Sequence, residues 1–317
     1  MPLDLVECEA QEFDGVVGRC ESLAATHIIV YYSFHPELVV SLRRALPLAK
    51  LFVRTVNAEA FQHWQRARVG FVPSYANLRK IYGAFRLGWR DAMCKRHAHV
   101  LLGISEWDNR IYWRRLPGQA EIVDVPYQCP WPHIRPQVTP MDWAIRRNEI
   151  VCLAGGRDPI GRTMVEGFSR MANALGGSSA FIGWKFSLSP GLLGGEEVPD
   201  ISAKVERMTA LLEPWDLLCS VKVLAVLTPL GYGSKTTIID ALAAGCHVLV
   251  HPVLARRLPP NLRQACIEYS DKCAPNRETL ANALAAQPTN SAIPTLRNNA
   301  ESGLKRAFGI GQENEHA

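Results

Sequence analysis

Residues 231–245 of this 317-residue chain read GYGSKTTIIDALAAG. Two glycines one residue apart precede a lysine and an amphipathic run, which is the pattern of a loop that enters the N-terminus of a helix. The first backbone N–H groups of a helix have no partners within it, and the helix dipole makes that end positive, so anions bind there. The segment therefore predicts an anion-binding turn.

The residue types in this turn suit a nucleoside diphosphate sugar. Gly231 and Gly233 let the backbone approach a ligand without a Cβ in the way. Lys235 supplies a mobile positive charge for phosphate. Asp240 supplies a carboxylate that accepts hydrogen bonds from hydroxyls. The alternative interpretation is a tight loop with a solvated lysine and a helix-surface acid. The spacing is that of neither a Walker loop nor the dinucleotide fingerprint.

The composition is that of an ordinary soluble protein. Hydrophobic residues make up 48% and charged residues 21% of the chain, with a formal net charge of +5. Disorder is therefore not expected, and no long Lys/Arg block supports nucleic-acid binding. The nine cysteines are scattered and include no Cys-x-x-Cys pair, which favours a reducing cytoplasm over a disulfide framework or a zinc site. The first residues do not have the pattern of a signal peptide.

Strand-like and helix-like segments alternate along the chain, which is typical of parallel α/β sheets. The predicted strands are 27–32, 49–54, 98–104, 120–126, 149–156, 179–184, 221–227, 246–252 and 266–269. The main predicted helices are 36–46, 75–97, 163–175, 204–212, 277–285 and 293–308.

Four prolines between residues 128 and 142 indicate a linker between two such domains. We expect an N-terminal domain at 1–135, a C-terminal nucleotide-sugar-binding domain at 136–290, and a terminal helix and tail at 291–317 that packs back on the first domain. In open α/β folds, ligands bind beyond the carboxyl ends of the strands.

These features together resemble the GT-B glycosyltransferases, and within them the retaining nucleotide-sugar enzymes of glycosyltransferase family 4. The block GGRDPIGR at 155–162 is similar to the family's Gly-Arg-x-x-x-x-Lys block, with Arg157 on the arginine and Arg162 in place of the lysine. The segment 231–245 is similar to the family's Gly-x-Gly-x-Lys-x-x-x-x-Glu run. Asp240 falls on the acid that holds the donor ribose. The resemblance implies an α/β fold of two Rossmann-like, doubly wound parallel-sheet domains that face each other across a cleft.

The first half resembles the family more weakly. Residues 54–59, RTVNAE, are similar to its Arg-x-His-Asn-x-Glu segment, and residues 103–108 to its strand that ends in Ser-Glu-x-Asp. Ser105 and Glu106 also fit a capping role at a helix start. Three departures stand out: Val56 replaces the histidine, Tyr232 replaces the first acid of a paired-glutamate motif, and the N-terminal domain is short.

The resemblance implies transfer of a sugar from a nucleoside diphosphate, UDP or GDP, to a glycan, a lipid-linked sugar or another acceptor, with retention of configuration. It implies no separate cofactor and no metal, in keeping with the absence of an Asp-x-Asp element. The leaving diphosphate would be stabilised by Arg157, Arg162 and Lys235. The donor would contact Gly156, Gly231, Tyr232, Gly233, Ser234, Thr236 and Asp240. The acceptor side would contain Arg54, Asn57 and Glu59.

Two other functions stay open from the sequence. One is a nucleotide-sugar epimerase of the same architecture, and the other is a non-catalytic, glycosyltransferase-like nucleotide-binding partner protein. The oligomeric state is also open.

Residues 77–90 mix basic and aromatic side chains at helical spacing. This pattern fits either an ordinary half-buried helix or a helix that makes peripheral contact with an anionic membrane at its inner face.

Overall fold

The computed structural model describes residues 13–31, 35–55, 57–68, 74–154, 159–189, 201–209, 211, 213–231, 233, 235–289 and 291–310. The chain divides into two compact units. The first comprises residues 1–126 with 299–317, and the second comprises residues 127–298. No helix in the described ranges is both long and apolar enough to cross a bilayer.

The first unit is a four-stranded parallel sheet with helices on both faces. Its strands lie in the order β1-β2-β3-β4. In chain order the elements are α1 (Phe13–Ser22), β1 (His27–Tyr31), α2 (Pro36–Ala45), β2 (Lys50–Arg54), α3 (Glu59–Arg68), α4 (Tyr75–His97), β3 (Val100–Gly103), α5 (Glu106–Ile111) and β4 (Glu121–Asp124).

The two faces of this sheet follow from the alternation of side chains along each strand. On β2, Leu51 and Val53 belong to the core beneath α1, α2 and α4. Phe52 points to the opposite face, where it packs with Ala300 and Ala307. These two alanines lie on the last helix of the chain, α13 (Ala292–Phe308). The C-terminal half of α13 therefore covers the second face of the first sheet.

The second unit is a six-stranded sheet in the order β10-β9-β8-β5-β6-β7, with all pairs parallel. In chain order the elements are α6 (Trp131–Ile134), β5 (Arg147–Leu153), α7 (Pro159–Leu175), β6 (Lys185–Ser189), β7 (Val205–Arg207), α8 (Trp215–Ser220), β8 (Val221–Val226), α9 (Thr236–Ala243), β9 (His247–Val250), α10 (Pro252–Ala255), α11 (Pro260–Gln264), β10 (Ile267–Glu268) and α12 (Arg277–Ala285).

The second sheet is doubly wound from its central strands. From β5 the chain adds β6 and then β7 on one side, crosses over to β8, and adds β9 and β10 on the other side. The direction of winding therefore reverses between β5 and β8. The described strands of the first sheet instead follow one another in sequence order and wind in one direction.

The prediction of two parallel-sheet α/β domains is confirmed, and most of the predicted strands and helices are present. Two elements were predicted wrongly. The strand predicted at 179–184 is absent: Ser179–Phe181 form a short 3-10 turn, and the nearest strand, β6, begins at Lys185. Ile182 is 81% exposed, so the apolar run there is not a buried strand. Residues 204–212 contain the edge strand β7 instead of a helix, because pairing with β6 overrides the helical spacing of the apolar residues.

Candidate functional site

The two predicted anion-binding turns leave neighbouring strands of the second sheet. Ile150 and Val151 of β5 lie opposite Val223 and Leu224 of β8 in a parallel pair. Because the two strands run in the same direction, the turn from β5 to α7 and the turn from β8 to α9 emerge at the same edge of the sheet. This edge is also where the winding reverses, the place where open α/β sheets bind ligands.

Close packing joins α7 to the chain that leaves β8. Gly167 of α7 lies so near Leu227 that a Cβ on the glycine would overlap the Leu227 carbonyl oxygen. One turn earlier on the helix, the Thr163 hydroxyl lies 2.6 Å from the hydroxyl of Thr228, which is fully buried. The beginning of α7 is thereby fixed beside the start of the second turn.

The turn from β8 to α9 requires its two glycines. Gly231 has φ = 106° and Gly233 has φ = 76°, a region that side chains other than glycine rarely occupy. Lys235 is the N-cap residue of α9. A Cβ built on Gly231 would lie 3.2 Å from the Lys235 Nζ, so the ammonium group lies over the glycine backbone. The predicted loop, lysine and helix start are thus adjacent, and Thr236 begins the helix.

The first turn of α9 contains no acidic residue. Its positive end is therefore not neutralised by a carboxylate of its own, which favours an external anion there. Tyr232 and Ser234, which were predicted to contact the donor, lie outside the described residues.

The turn from β5 to α7 is described only in part. Gly156 and Arg157 lie outside the described residues. Arg162 is the fourth residue of α7, and its side chain is exposed. It therefore stands in the first turn of the helix whose start is held beside Thr228.

Asp240 lies on α9 but not on its surface. It is only 5% exposed, and the Tyr127 hydroxyl donates a hydrogen bond of 3.1 Å to its Oδ1. Burial raises the pKa of the Asp240 carboxyl, while hydrogen bonds from Cys129 and Tyr127 act in the opposite direction. The alternative interpretation of Asp240 as a helix-surface acid is therefore wrong. The structure places this carboxylate against the segment that follows β4.

The residues predicted for the acceptor side lie in the first unit, at the end of β2. Arg54 is the last residue of the strand, and its guanidinium donates a hydrogen bond to the Val125 carbonyl. Burial lowers the pKa of Arg54. Asn57 follows in the turn, and its side-chain oxygen is buried with no hydrogen-bond partner among the described residues. Glu59 begins α3.

The start of α5 reaches the same turn. The Ser105 hydroxyl accepts a hydrogen bond from the backbone N–H of Asp108, which confirms its capping role. The Asp108 carboxylate, which is fully buried, in turn accepts a hydrogen bond of 3.2 Å from the backbone N–H of Ala58. The segments after β2 and β3 are therefore joined beside Asn57.

Sequence reasoning missed several residues that shape the second unit: Thr163, Gly167, Thr228, Tyr127 and Arg146. Only Gly167 carried a signal, because a glycine inside an amphipathic helix often marks close packing. His247 and His251 both make contacts that support the fold. His247 Nε2 lies 2.7 Å from the Ala286 carbonyl oxygen, and His251 caps α10. Across the described ranges, no three His, Cys, Asp or Glu side chains form a group that could hold a metal ion.

Comparison with known proteins identifies the fold. Neither a family model nor a curated protein matches the sequence. Among solved structures, a glycosyltransferase from Rickettsia africae matches with a TM-score of 0.57 and 11% identity, over 99% of this chain and 85% of its own. A UDP-forming α,α-trehalose-phosphate synthase from Burkholderia vietnamiensis matches with a TM-score of 0.53 and 12% identity, over 96% and 80%.

A third solved structure, the Anabaena protein HepE in complex with UDP-glucose, matches with a TM-score of 0.51 and 12% identity, over 94% of this chain and 82% of its own. At such identities the likeness concerns the fold. The chain has the α/β fold of the GT-B glycosyltransferases, with two parallel sheets, as its motifs predicted.

Proposed function

We propose that this protein is a glycosyltransferase that moves a sugar from a nucleoside diphosphate to a glycan, a lipid-linked sugar or another acceptor, with retention of configuration. One observation carries the proposal: the two motif-bearing turns emerge side by side where the winding of the second sheet reverses. A site assembled from two helix starts and basic side chains suits a diphosphate better than a neutral ligand.

The chemistry follows from the charge of the leaving group. As the anomeric bond breaks, negative charge grows on the departing diphosphate. The N-terminus of α9 and the Lys235 ammonium would stabilise that charge, together with Arg162 and Arg157. Groups that are already oriented toward developing charge lower the barrier without reorganisation, and removal of one such donor costs about 2–4 kcal/mol. In the retaining route implied by the motifs, the leaving phosphate accepts the acceptor proton, so no protein nucleophile is needed.

The remaining contacts complete the proposal. Gly156, Tyr232, Ser234 and Thr236 would surround the diphosphate, with Asp240 near the ribose. UDP is the first nucleotide to test, since one structural neighbour is a UDP-forming synthase and another was solved with UDP-glucose.

On the acceptor side, the unpaired buried amide oxygen of Asn57 supports a polar contact at the turn that also contains Arg54 and Glu59. We place the reaction in the cytoplasm, without a metal or a separate cofactor, and with peripheral contact at the inner face of the membrane.

A nucleotide screen tests the donor site. UDP, GDP, ADP and CMP are added separately, and the melting temperature is measured. A ligand that binds only the folded state at 100 times its Kd adds about 2.7 kcal/mol of stability. We expect one nucleotide to raise the melting temperature and Lys235→Ala to abolish the shift. Lys185→Ala is the control, because Lys185 is an exposed lysine at the start of β6, at the opposite edge of the same sheet.

Hydrolysis of the matching sugar nucleotide then separates the candidate functions. A glycosyltransferase slowly transfers the sugar to water. A non-catalytic nucleotide-binding protein shows the thermal shift without hydrolysis. An epimerase would need clustered acids and histidines, whereas the motifs at 155–162 and 231–245 each contain one aspartate and no histidine. If none of the four nucleotides changes the melting temperature, the proposed donor site is wrong.

A further inference from the structure

Helix α4 carries a row of exposed apolar and aromatic side chains. These residues follow one another at intervals of three and four, so they form one stripe along the helix. The row, which we call the α4 stripe, consists of Tyr75 (83% exposed), Leu78 (61%), Tyr82 (67%), Phe85 (70%) and Trp89 (59%).

The opposite face of α4 is the one that packs against the protein. Ala84 and Cys94 are buried there. Gly83 lies against His63 of α3, and Gly88 against Ala60 of the same helix. The close approach of α3 at the two glycines fixes how α4 is rotated. The α4 stripe therefore faces away from the core of the first unit, and packing within that unit does not account for its composition.

Basic side chains run along one flank of the α4 stripe. Arg79, Arg86 and Arg90 lie on the same side of the helix at spacings of seven and four. Arg79, Arg86 and the nearby Lys80 are exposed, and Arg90 is half-buried. Residues 75–90 contain no aspartate or glutamate. This part of the helix thus presents aromatic and positive groups without a compensating acid.

A second copy of the chain is a poor occupant for this face. Intervals of three and four also define a coiled-coil seam, but such seams are stabilised by opposite charges at their flanks. Pairing of two α4 helices would bring their arginine flanks together, and residues 75–90 contain no carboxylate that could offset the repulsion between them. Like charges at such positions act against pairing.

An anionic bilayer surface fits both properties. Tyrosine and tryptophan rings favour the interface between headgroups and acyl chains, where one end of the side chain is apolar and the other is wet. Basic residues beside them are attracted to anionic headgroups. The stripe extends from Tyr75 to Trp89, which is about 21 Å at 1.5 Å per residue, so it provides a contact parallel to the surface.

We propose that the α4 stripe docks on an anionic membrane surface, with α4 parallel to the plane and its arginine flank among the headgroups. The proposal rests on the peripheral membrane contact of the proposed function and deepens it, because it names the surface that makes this contact and the anionic lipids that it binds. It does not depend on nucleotide binding, so the two proposals can fail separately.

Sedimentation of the full chain with vesicles tests the docking surface. Vesicles of phosphatidylcholine alone are compared with vesicles that contain 30% phosphatidylglycerol, at low and at 0.5 M salt. We expect binding to the anionic vesicles only, and loss of most of it at high salt, since a short Debye length screens surface charge. Equal binding to both compositions, or no binding to either, overturns the proposal.

Two variants identify the surface. Arg79→Gln/Arg86→Gln/Arg90→Gln is expected to lower the partition coefficient at least about tenfold, and Tyr82→Ser/Phe85→Ser/Trp89→Ser to lower it by a similar factor. The matched controls change exposed residues elsewhere and should bind as the unmodified protein does. These controls are Arg256→Gln/Arg277→Gln/Arg297→Gln and Leu48→Ser/Ile182→Ser/Ile310→Ser.

Quenching by brominated lipids reports on insertion directly. Trp89 should be quenched by lipids brominated near the headgroup end of the acyl chain, and Trp89→Phe should remove that quenched component. Circular dichroism and melting temperature confirm that each variant is folded. Sedimentation velocity tests whether a second copy of the chain binds the stripe instead. If the protein does not bind vesicles but forms a dimer that the Tyr82/Phe85/Trp89 variant abolishes, the stripe mediates self-association and the membrane proposal is overturned.

Discussion

The hydroxyls of Thr163 and Thr228 lie 2.6 Å apart and join the two turns of the candidate donor site. The Thr163 hydroxyl donates its proton to the Ile160 carbonyl, so the Thr228 hydroxyl must be the donor between the two threonines. The Thr228 oxygen in turn accepts the backbone N–H of Leu230. A continuous chain of hydrogen bonds thus runs from the β8–α9 turn to the start of α7.

Removal of one hydroxyl from this chain should loosen both turns. Thr228→Val keeps the shape of the side chain but leaves the Leu230 N–H without its acceptor and Thr163 without its donor. A buried group left unpaired costs about 1–3 kcal/mol, and we expect the free energy of unfolding to fall by about that amount. The nucleotide-induced thermal shift should also shrink. Chemical denaturation and the thermal shift measure the two effects.

Thr295→Val is the control for the threonine change, because Thr295 is an exposed threonine on α13 and its loss should alter neither quantity. A Thr228→Val protein as stable and as responsive to nucleotide as the unmodified one would show that the threonine pair does not position the turns.

The glycine at position 167 should be irreplaceable even though it lies inside a helix. Alanine normally stabilises a helix interior by about 1 kcal/mol relative to glycine. At Gly167 the new methyl group would overlap the Leu227 carbonyl oxygen, and overpacking costs about 1–3 kcal/mol. We therefore expect Gly167→Ala to lower stability and to weaken nucleotide binding. Urea denaturation and a nucleotide titration provide the measurements.

Gly15→Ala provides the opposite case within the same chain. Gly15 lies in α1 with nothing within 4 Å of where its Cβ would stand, so that substitution should be neutral or stabilising. If Gly167→Ala and Gly15→Ala have the same effect on stability, the close contact between α7 and Leu227 is not present in solution.

The local pattern of the sequence predicts the parts of the donor site but not how they come together. The glycines at 231 and 233 and the lysine at 235 define a turn through backbone freedom and charge, which are properties of neighbouring residues. Whether that turn meets the one after β5 depends on which strands pair. Strand order is set by packing over the whole sheet, and the Thr163–Thr228 contact joins residues 65 positions apart.

The same reasoning explains the errors. Val205 begins a three-residue strand because β6 offers its open edge, whereas the spacing of apolar residues after it favoured a helix. Asp240 was predicted to contact the donor ribose, which stays a prediction, but its burial under Tyr127, 113 positions away, was not foreseen. The residues around position 240 do not indicate such burial, because the covering side chain is distant in sequence.

Arg146 should be essential for the stability of the second unit. Its buried guanidinium donates to the carbonyl oxygens of Ala244 (2.7 Å), Val221 (3.3 Å) and Met141 (2.9 Å). It thereby satisfies the C-terminal end of α9, where a positive charge also complements the helix dipole. Arg146→Met keeps the aliphatic part but removes these bonds, and we expect a loss of about 2–4 kcal/mol.

Arg297→Met, at an exposed position of α13, is the matched control for Arg146 and should change stability little. Chemical denaturation of the two variants gives the comparison. Equal stabilities would mean that the buried arginine merely fills space.

The ionised Asp240 carboxylate is expected to lower the stability of the folded state and to contribute to donor binding. Burial raises the pKa of its carboxyl above the ordinary value of 3.8, so the folded state binds the proton more tightly than the unfolded chain. As the pH rises through the interval between these two pKa values, the unfolded state loses its proton first, and stability falls. Asp240→Asn removes this cost and still accepts the Tyr127 hydrogen bond through its amide oxygen. At neutral pH the variant should therefore be at least as stable as the unmodified protein, whereas the two should converge toward pH 4.

If Asp240 also contacts the donor ribose, the same Asp240→Asn substitution should weaken nucleotide binding while the fold gains stability, a combination that a purely structural carboxylate would not produce. Melting temperatures between pH 4 and 8, with and without UDP, separate the two effects. Glu301→Gln, at an exposed acid on α13, should change neither. A variant that is less stable than the unmodified protein at pH 7, with unchanged affinity, would show that the ionised carboxylate holds the Tyr127 segment and takes no part in the donor site.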